Sequence, residues 1–154
     1  MKQRTRRTGI IAFAAAAMLA IGMGNPPSAQ AASLWHCAPQ SNMAAVCTTI
    51  TSAPPGGVQV RDRLTNSIWV LYNGDSVQIR SWGWDPSARC GINNNYFWHI
   101  WWRTGSGNWH RAYIGDWYLS TGAPSYWKNF REPSGGKLQD TYIGSWSGTC
   151  DVIA

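Results

Sequence analysis

The sequence predicts an all-β fold, and three observations carry the prediction. From Val58 onward apolar residues recur with period two. Gly, Pro, Asn, Ser and Thr interrupt the chain too often for any helix of useful length, while β-branched and aromatic residues dominate what lies between. Four cysteines, Cys37, Cys47, Cys90 and Cys150, supply cross-links for a small domain.

The first segment stands outside that fold. Lys2, Arg4, Arg6 and Arg7 make a basic start, an apolar run covers 9–24, and Ala29-Gln30-Ala31 places small residues at a cleavage position. Residues 1–31 therefore read as a secretory signal peptide. The apolar run is shorter than the ~20 residues a spanning helix needs. Thr8-Gly9 after the paired arginines favours the general secretory route.

Residues 32–56 read as an N-terminal arm of weak periodicity that ends at Pro54-Pro55-Gly56-Gly57. Val58 and Val60 alternate with Gln59 and Arg61 in a first strand. Ile68, Val70 and Tyr72 alternate with Trp69 and Leu71, a strand expected to be covered on both sides. Asn73-Gly74-Asp75 is a turn, and Val77 and Ile79 open the next strand. Tyr96–Arg103, with the sequence YFWHIWWR, is a strand. Thr104-Gly105-Ser106-Gly107-Asn108 turns it into another over 109–117, and Tyr142 to Trp146 offers a last one. Residues 123–154 form a C-terminal extension, with Trp127, Phe130 and Trp146 as its means of docking. Tyr113-Ile114-Gly115-Asp116-Trp117 is echoed by Tyr142-Ile143-Gly144-Ser145-Trp146, and two strands of similar composition account for that better than a repeat.

Charge narrows the function classes. The whole chain carries 13 basic and 7 acidic residues, or +6. Four of the basic residues leave with the signal peptide, so nine face seven and the remainder carries +2. No basic stripe is left to bind nucleic acid, and no membrane contact is expected after cleavage. A secreted monomer, extracellular or cell-wall associated, is the expectation. In an exported chain four cysteines read as two disulfides. Of the three connectivities, Cys37–Cys47 and Cys90–Cys150 are favoured, one closing a local loop and one tying the tail to the middle of the chain. The absence of Cys-x-x-Cys spacing argues against zinc.

Four pieces together carry a family resemblance: GVQVRD at 57–62, WVLYNGDSVQI at 69–79, WHI at 98–100 and AYIGDWYLST at 112–121. In order and spacing this run, 57–122, resembles the bacterial SH3-like (SH3b-type) modules of secreted and cell-wall proteins. Asp62-Arg63-Leu64-Thr65-Asn66 departs from the Gly/Pro/Ser-rich stretch usual there, and Ala112 stands where the family has Gly. The resemblance implies a small, strongly bent β-barrel with a non-catalytic role, commonly binding cell-wall peptide, peptidoglycan or another protein.

Little in the sequence suggests catalysis. The histidines lack metal-ligand spacing, no nucleophile elbow is present, and oxidised cysteines cannot attack. Glu132 and Asp140 are the one pair of carboxylates that could divide acid and base roles in sugar cleavage. No cofactor or metal is expected. The aromatics, eleven of them Trp, are the stronger signal. If Val77 and Ile79 face the core, strict alternation places Arg80, Trp82 and Trp84 on the opposite face. In the octet it places Tyr96, Trp98, Ile100 and Trp102 inside and Phe97, His99, Trp101 and Arg103 outside. Leu119 then lies in the core and Tyr118 on the rim. The expected ligand site is thus an aromatic groove. Trp82, Trp84, Phe97, Trp101 and Tyr118 give apolar contact, and Arg80 and Arg103 hold anionic groups. The expected role is a non-catalytic module for cell-wall peptide or glycan. The alternative is a secreted inhibitor or protein-interaction factor, and a small glycan hydrolase ranks below both.

Overall fold

A computed structural model of the chain describes residues 32–37, 45–87, 90, 94–145 and 150–153. The signal segment 1–31 and Trp146 lie outside the described residues. The fold is all-β. Among the described residues nine strands run in chain order: β1 (Trp35–Cys37), β2 (Ala45–Thr49), β3 (Val58–Arg61), β4 (Ile68–Leu71), β5 (Ser76–Trp84), β6 (Tyr96–Arg103), β7 (Trp109–Gly115), β8 (Tyr142–Ser145) and β9 (Val152–Ile153). One short helix, α1 (Pro124–Trp127), follows β7 and a 3₁₀ turn at Asp116–Tyr118.

The larger sheet has the order β1-β2-β5-β6-β7, antiparallel throughout. Beyond the end of β2, β8 joins β5 in parallel. The smaller sheet has the order β4-β3-β9. The two meet along the outer edge of β7. There Arg63 N and Asp151 N donate to the carbonyls of Arg111 and Tyr113, at 2.9 and 3.1 Å. In return the Asp62 and Asp151 carboxylates accept from the backbone N–H of Arg111 and Tyr113, at 2.9 and 2.6 Å. An edge that would otherwise expose unpaired backbone groups is thereby closed.

The segment read as an arm supplies β1 and β2, which belong to the larger sheet. The tail likewise supplies β8 and β9, of which the sequence reading saw only β8. Both disulfides are those favoured, Cys37–Cys47 and Cys90–Cys150. They point to an oxidising or extracellular environment. Among the described residues no helix is long and apolar enough to cross a membrane.

The core lies between the sheets. Val46, Val77, Ile79, Trp98, Ile100, Trp102, Ala112 and Ile114 line the inner face of the larger sheet, and Val58, Val60 and Leu71 come from the smaller. Trp127 and Leu138 bring the C-terminal extension into the same cluster. Trp127 makes edge contacts with Trp82, Tyr96 and Trp98 at ring separations of 4.9, 5.4 and 4.9 Å. β4 is covered on one side only. Leu71 is buried and Trp69 packs on the core, while Ile68 and Tyr72 are exposed, because β4 is an outer strand of a three-stranded sheet.

A bulge in β5 overturns the expectation of strict alternation. Ile79 stands opposite Ile100, yet Ser81 stands opposite His99 and Trp82 opposite Trp98. Arg80 is the extra residue, and every side chain after it changes face. Trp82 therefore points into the core, where its indole N–H donates to Leu138 O at 2.9 Å. Trp84 follows it to the core side and packs on Tyr96 at the rim, half-exposed.

Candidate functional site

The face of the larger sheet turned away from the core is built from β5, β6 and β7. Registers fix its rows. Gln78, Trp101 and Arg111 stand side by side across the three strands, as do Ser81, His99 and Tyr113, then Gly83, Phe97 and Gly115. At the open end Arg103 stands opposite Trp109. Along β7 period two puts Trp109, Arg111 and Tyr113 on this face and buries His110, Ala112 and Ile114 on the other. Rings and cations thus alternate along and across the strands.

The rows differ in depth. Phe97 is wholly buried, because no side chain stands at Gly83 and the ring takes that space. Tyr113 closes it edge-on, ring centroids 5.9 Å apart. In the next rows His99, Trp101, Trp109, Arg111 and Tyr113 are half-buried, and Arg103 is exposed. The Arg80 and Arg111 guanidiniums lie 5.8 and 5.6 Å from the centre of the Trp101 ring, within cation–π range. His99 packs on Tyr113 at 4.8 Å, and Arg63 lies over the same tyrosine at 4.4 Å.

The cations are not equally committed. Arg63 is paired with Asp151 at 2.6 Å. Arg103 donates its Nε to Gly107 O at 2.9 Å. Arg80 donates Nη2 to Gln78 Oε1 at 3.0 Å, but its Nε and Nη1 are buried without a partner, and so is Nε of Arg111. A buried donor left unpaired costs ~1–3 kcal/mol. Neither Arg80 nor Arg111 forms an ion pair among the described residues. Burial lowers the pKa of Arg80, offset in part by the charge of Glu132. Burial, then Arg111, Arg63 and Arg80, pushes His99 from 6.5 down to about 4, so it is neutral in this cationic setting.

Of the residues expected in one groove, Arg80, Trp101 and Arg103 share this face. Trp82 and Phe97 are interior, at 9 and 0 % exposure, and neither is available to a ligand. The bulge moved Trp82, and Gly83 made room for Phe97. Trp84 lies across the sheet at the rim of the core side, and Tyr118 packs against the core beyond β7. Arg111 and Tyr113 escaped the sequence reading. The alternation in Trp109-His110-Arg111-Ala112-Tyr113 was a signal that could have found them.

Other polar clusters have structural explanations. Buried Asp62 accepts from Leu64 N, Thr65 and Arg111 N and lies 3.0 Å from Nδ1 of His110, which joins the β3–β4 turn to β7. The His110 ring packs between Trp69 and Trp102, at 4.4 and 5.5 Å. Buried Asp116 accepts from Trp98 Nε1, Thr121 Oγ1 and Asn94 Nδ2. Asp85 lies near Cys90 and Cys150, but those sulfurs are joined in a disulfide and offer no thiolate to a metal. Asp140 accepts from the backbone N–H of Lys137, and Glu132 accepts from Ser134 Oγ. A groove of about 510 Å³ separates β4 from the β6–β7 turn, with Trp69, Leu71, Trp102 and Arg103 in its lining.

No family model, curated protein or solved structure matches this chain.

Proposed function

We propose that this is a secreted, non-catalytic, SH3-like binding module that takes cell-wall peptide or glycan on the outer face of its larger sheet. The observation that carries the reading is the Trp101 neighbourhood. A half-buried indole has a guanidinium on either strand beside it, and neither guanidinium forms an ion pair among the described residues. A flat face of rings and cations suits a flat, polar, extended ligand.

Export is supported by the basic and apolar character of 1–31 and by the two disulfides. The SH3-like reading is supported by where the family's pieces fall. GVQVRD lies on β3, WVLYNGDSVQI runs through β4 and its turn into β5, WHI lies on β6, and AYIGDWYLST covers the end of β7 and the 3₁₀ turn. The test is retention of the purified protein on insoluble cell-wall material. Trp101→Ala should abolish retention while the fold survives. Full retention by that variant would end the reading.

One observation favours a protein-interaction factor as a second reading. Leu64, Ile68 and Tyr72, each about half exposed, are spread along the β3–β4 turn and β4, and β4 is the outer strand of its sheet. Ile68→Lys with Tyr72→Ser should then break a protein complex and leave wall retention untouched.

A further inference from the structure

We infer that the Trp101 face selects an anionic glycan: the apolar side of a sugar ring lies against Trp101, and its carboxylate or phosphate oxygens are held by Arg80 and Arg111. The inference rests on the binding-module reading and names the chemistry of its ligand.

Positive charge on this face is unmatched. Arg63, Arg80, Arg103 and Arg111 all serve this face or its edge, whereas the carboxylates nearby are Asp151, spent on Arg63, Asp62, spent on His110, Thr65 and backbone N–H groups, and Glu132, which forms no ion pair with Arg80. Arg80 is held in place by Gln78, so its charge is fixed beside Trp101 before any ligand arrives. Arg111 is fixed by its backbone, which bonds Asp62 and Arg63 on the strand edge. Nε and Nη1 of Arg80 and Nε of Arg111 are buried, so a ligand meets these guanidiniums at their outer nitrogens, Nη2 of Arg80 and the Nη pair of Arg111. Both are partly open to solvent, as is Trp101 between them. An oxyanion is the group that pairs with such a cation. His99 adds no charge to the site above about pH 4, so the two arginines set its selectivity across the neutral range.

The separation of Arg80 and Arg111 by an indole argues for a sugar polymer over a lone anion. A small oxyanion pairs with one fork, whereas a ring bearing its acidic group at the edge meets indole and guanidinium together. Neutral glycans would keep the ring contact and lose the ionic one.

Three polymers of one backbone test this: a glucuronic-acid polymer, the same polymer with its carboxyls reduced to alcohols, and that reduced polymer phosphorylated. Binding is followed by tryptophan fluorescence at two salt concentrations. The wild-type protein should bind either charged polymer at least about ten-fold more tightly than the neutral one, and more weakly as salt rises. The ratio between the charged polymers names the source of the oxyanion. Arg80→Met and Arg111→Met should each erase most of the preference, and Arg111→Lys should retain part of it. Equal affinity for all three polymers, with wall material still retained, overturns charge selection and leaves the binding-module reading standing. Failure to retain wall material as well overturns both. The wild-type comparison decides the matter even if a variant fails to fold.

Discussion

Phe97 lies across Gly83, its direct partner in the β5–β6 register, and occupies the space a side chain would have taken. A Cβ at Gly83 would come within 2.2 Å of the Phe97 ring and 2.7 Å of Gly144 O. The ring can rotate, but the backbone carbonyl belongs to β8 and cannot move without breaking the parallel pairing. Gly83→Ala should therefore destabilise the protein by ~1–3 kcal/mol, read from the urea midpoint. Adding Phe97→Leu should recover part of that loss. If Gly83→Ala is neutral, the close packing of Phe97 on β5 is wrong.

Acid should weaken the fold in two stages with different origins. His99 is held near 4 against 6.5 when free, so between those values the unfolded chain binds the proton and the folded one does not. Stability contributed by neutral His99 is complete above pH 6.5 and is lost as pH falls toward 4. Asp62 follows below that window. Burial alone would raise its pKa, but hydrogen bonds from Thr65, Arg111 N, His110 and Leu64 N outweigh burial and hold it well below the usual carboxylate range. Its contribution is present above its unfolded value of 3.8 and fades as pH falls further. Asp116 works in the opposite sense, since burial outweighs its three hydrogen bonds and raises its pKa. Denaturant midpoints from pH 8 to pH 2 should show both stages. His99→Gln should remove the first and Asp62→Asn the second.

What the sequence disclosed, and what it hid, divides along physical lines. Trp98, Ile100 and Trp102 were legible as core because β6 pairs with β7 without interruption and itself keeps period two. The disulfide pairing was legible from loop closure. Trp82 was not, because a bulge at Arg80 depends on the partner strand and leaves no mark in β5's own composition. β1, β2 and β9 were obscure for a similar reason. They are short, and pairing forms them in place of their own alternation, β2 with β5 and β9 with β3 from far along the chain and β1 with β2. That Trp101, Arg80 and Arg103 share one face was legible, while Arg111 on the same face was passed over beside the more conspicuous rings of its strand.

The two disulfides should differ in what they support. Cys90–Cys150 closes a separation of 60 residues and Cys37–Cys47 one of 10. The chain-entropy relation assigns them about 4 and about 3 kcal/mol. The larger bridge also anchors the residue before Asp151, whose carboxylate and backbone N–H seal the β7 edge and bind Arg63. Replacing Cys90 and Cys150 with Ala should lower the thermal midpoint more than replacing Cys37 and Cys47. It should also speed amide exchange at Tyr113. An equal loss from both pairs would mean that the β7 edge holds without its tail.

Trp82 and Trp101 separate stability from binding, because the bulge at Arg80 sends them to opposite sides of the larger sheet. Trp82 touches Tyr96, Trp127 and Tyr142 and gives its N–H to Leu138 O. Truncating it leaves a cavity under the C-terminal extension, so Trp82→Ala should cost ~3–5 kcal/mol. Trp101 is half-buried and its neighbours are cations and His99, so Trp101→Ala should cost no more than ~1 kcal/mol. Binding should follow the reverse order. Measured below its unfolding temperature, Trp82→Ala should retain wall material, and Trp101→Ala should not. Should Trp82→Ala bind poorly while still folded, the ligand must reach the side of the sheet where α1 packs, and the outer face would lose its claim.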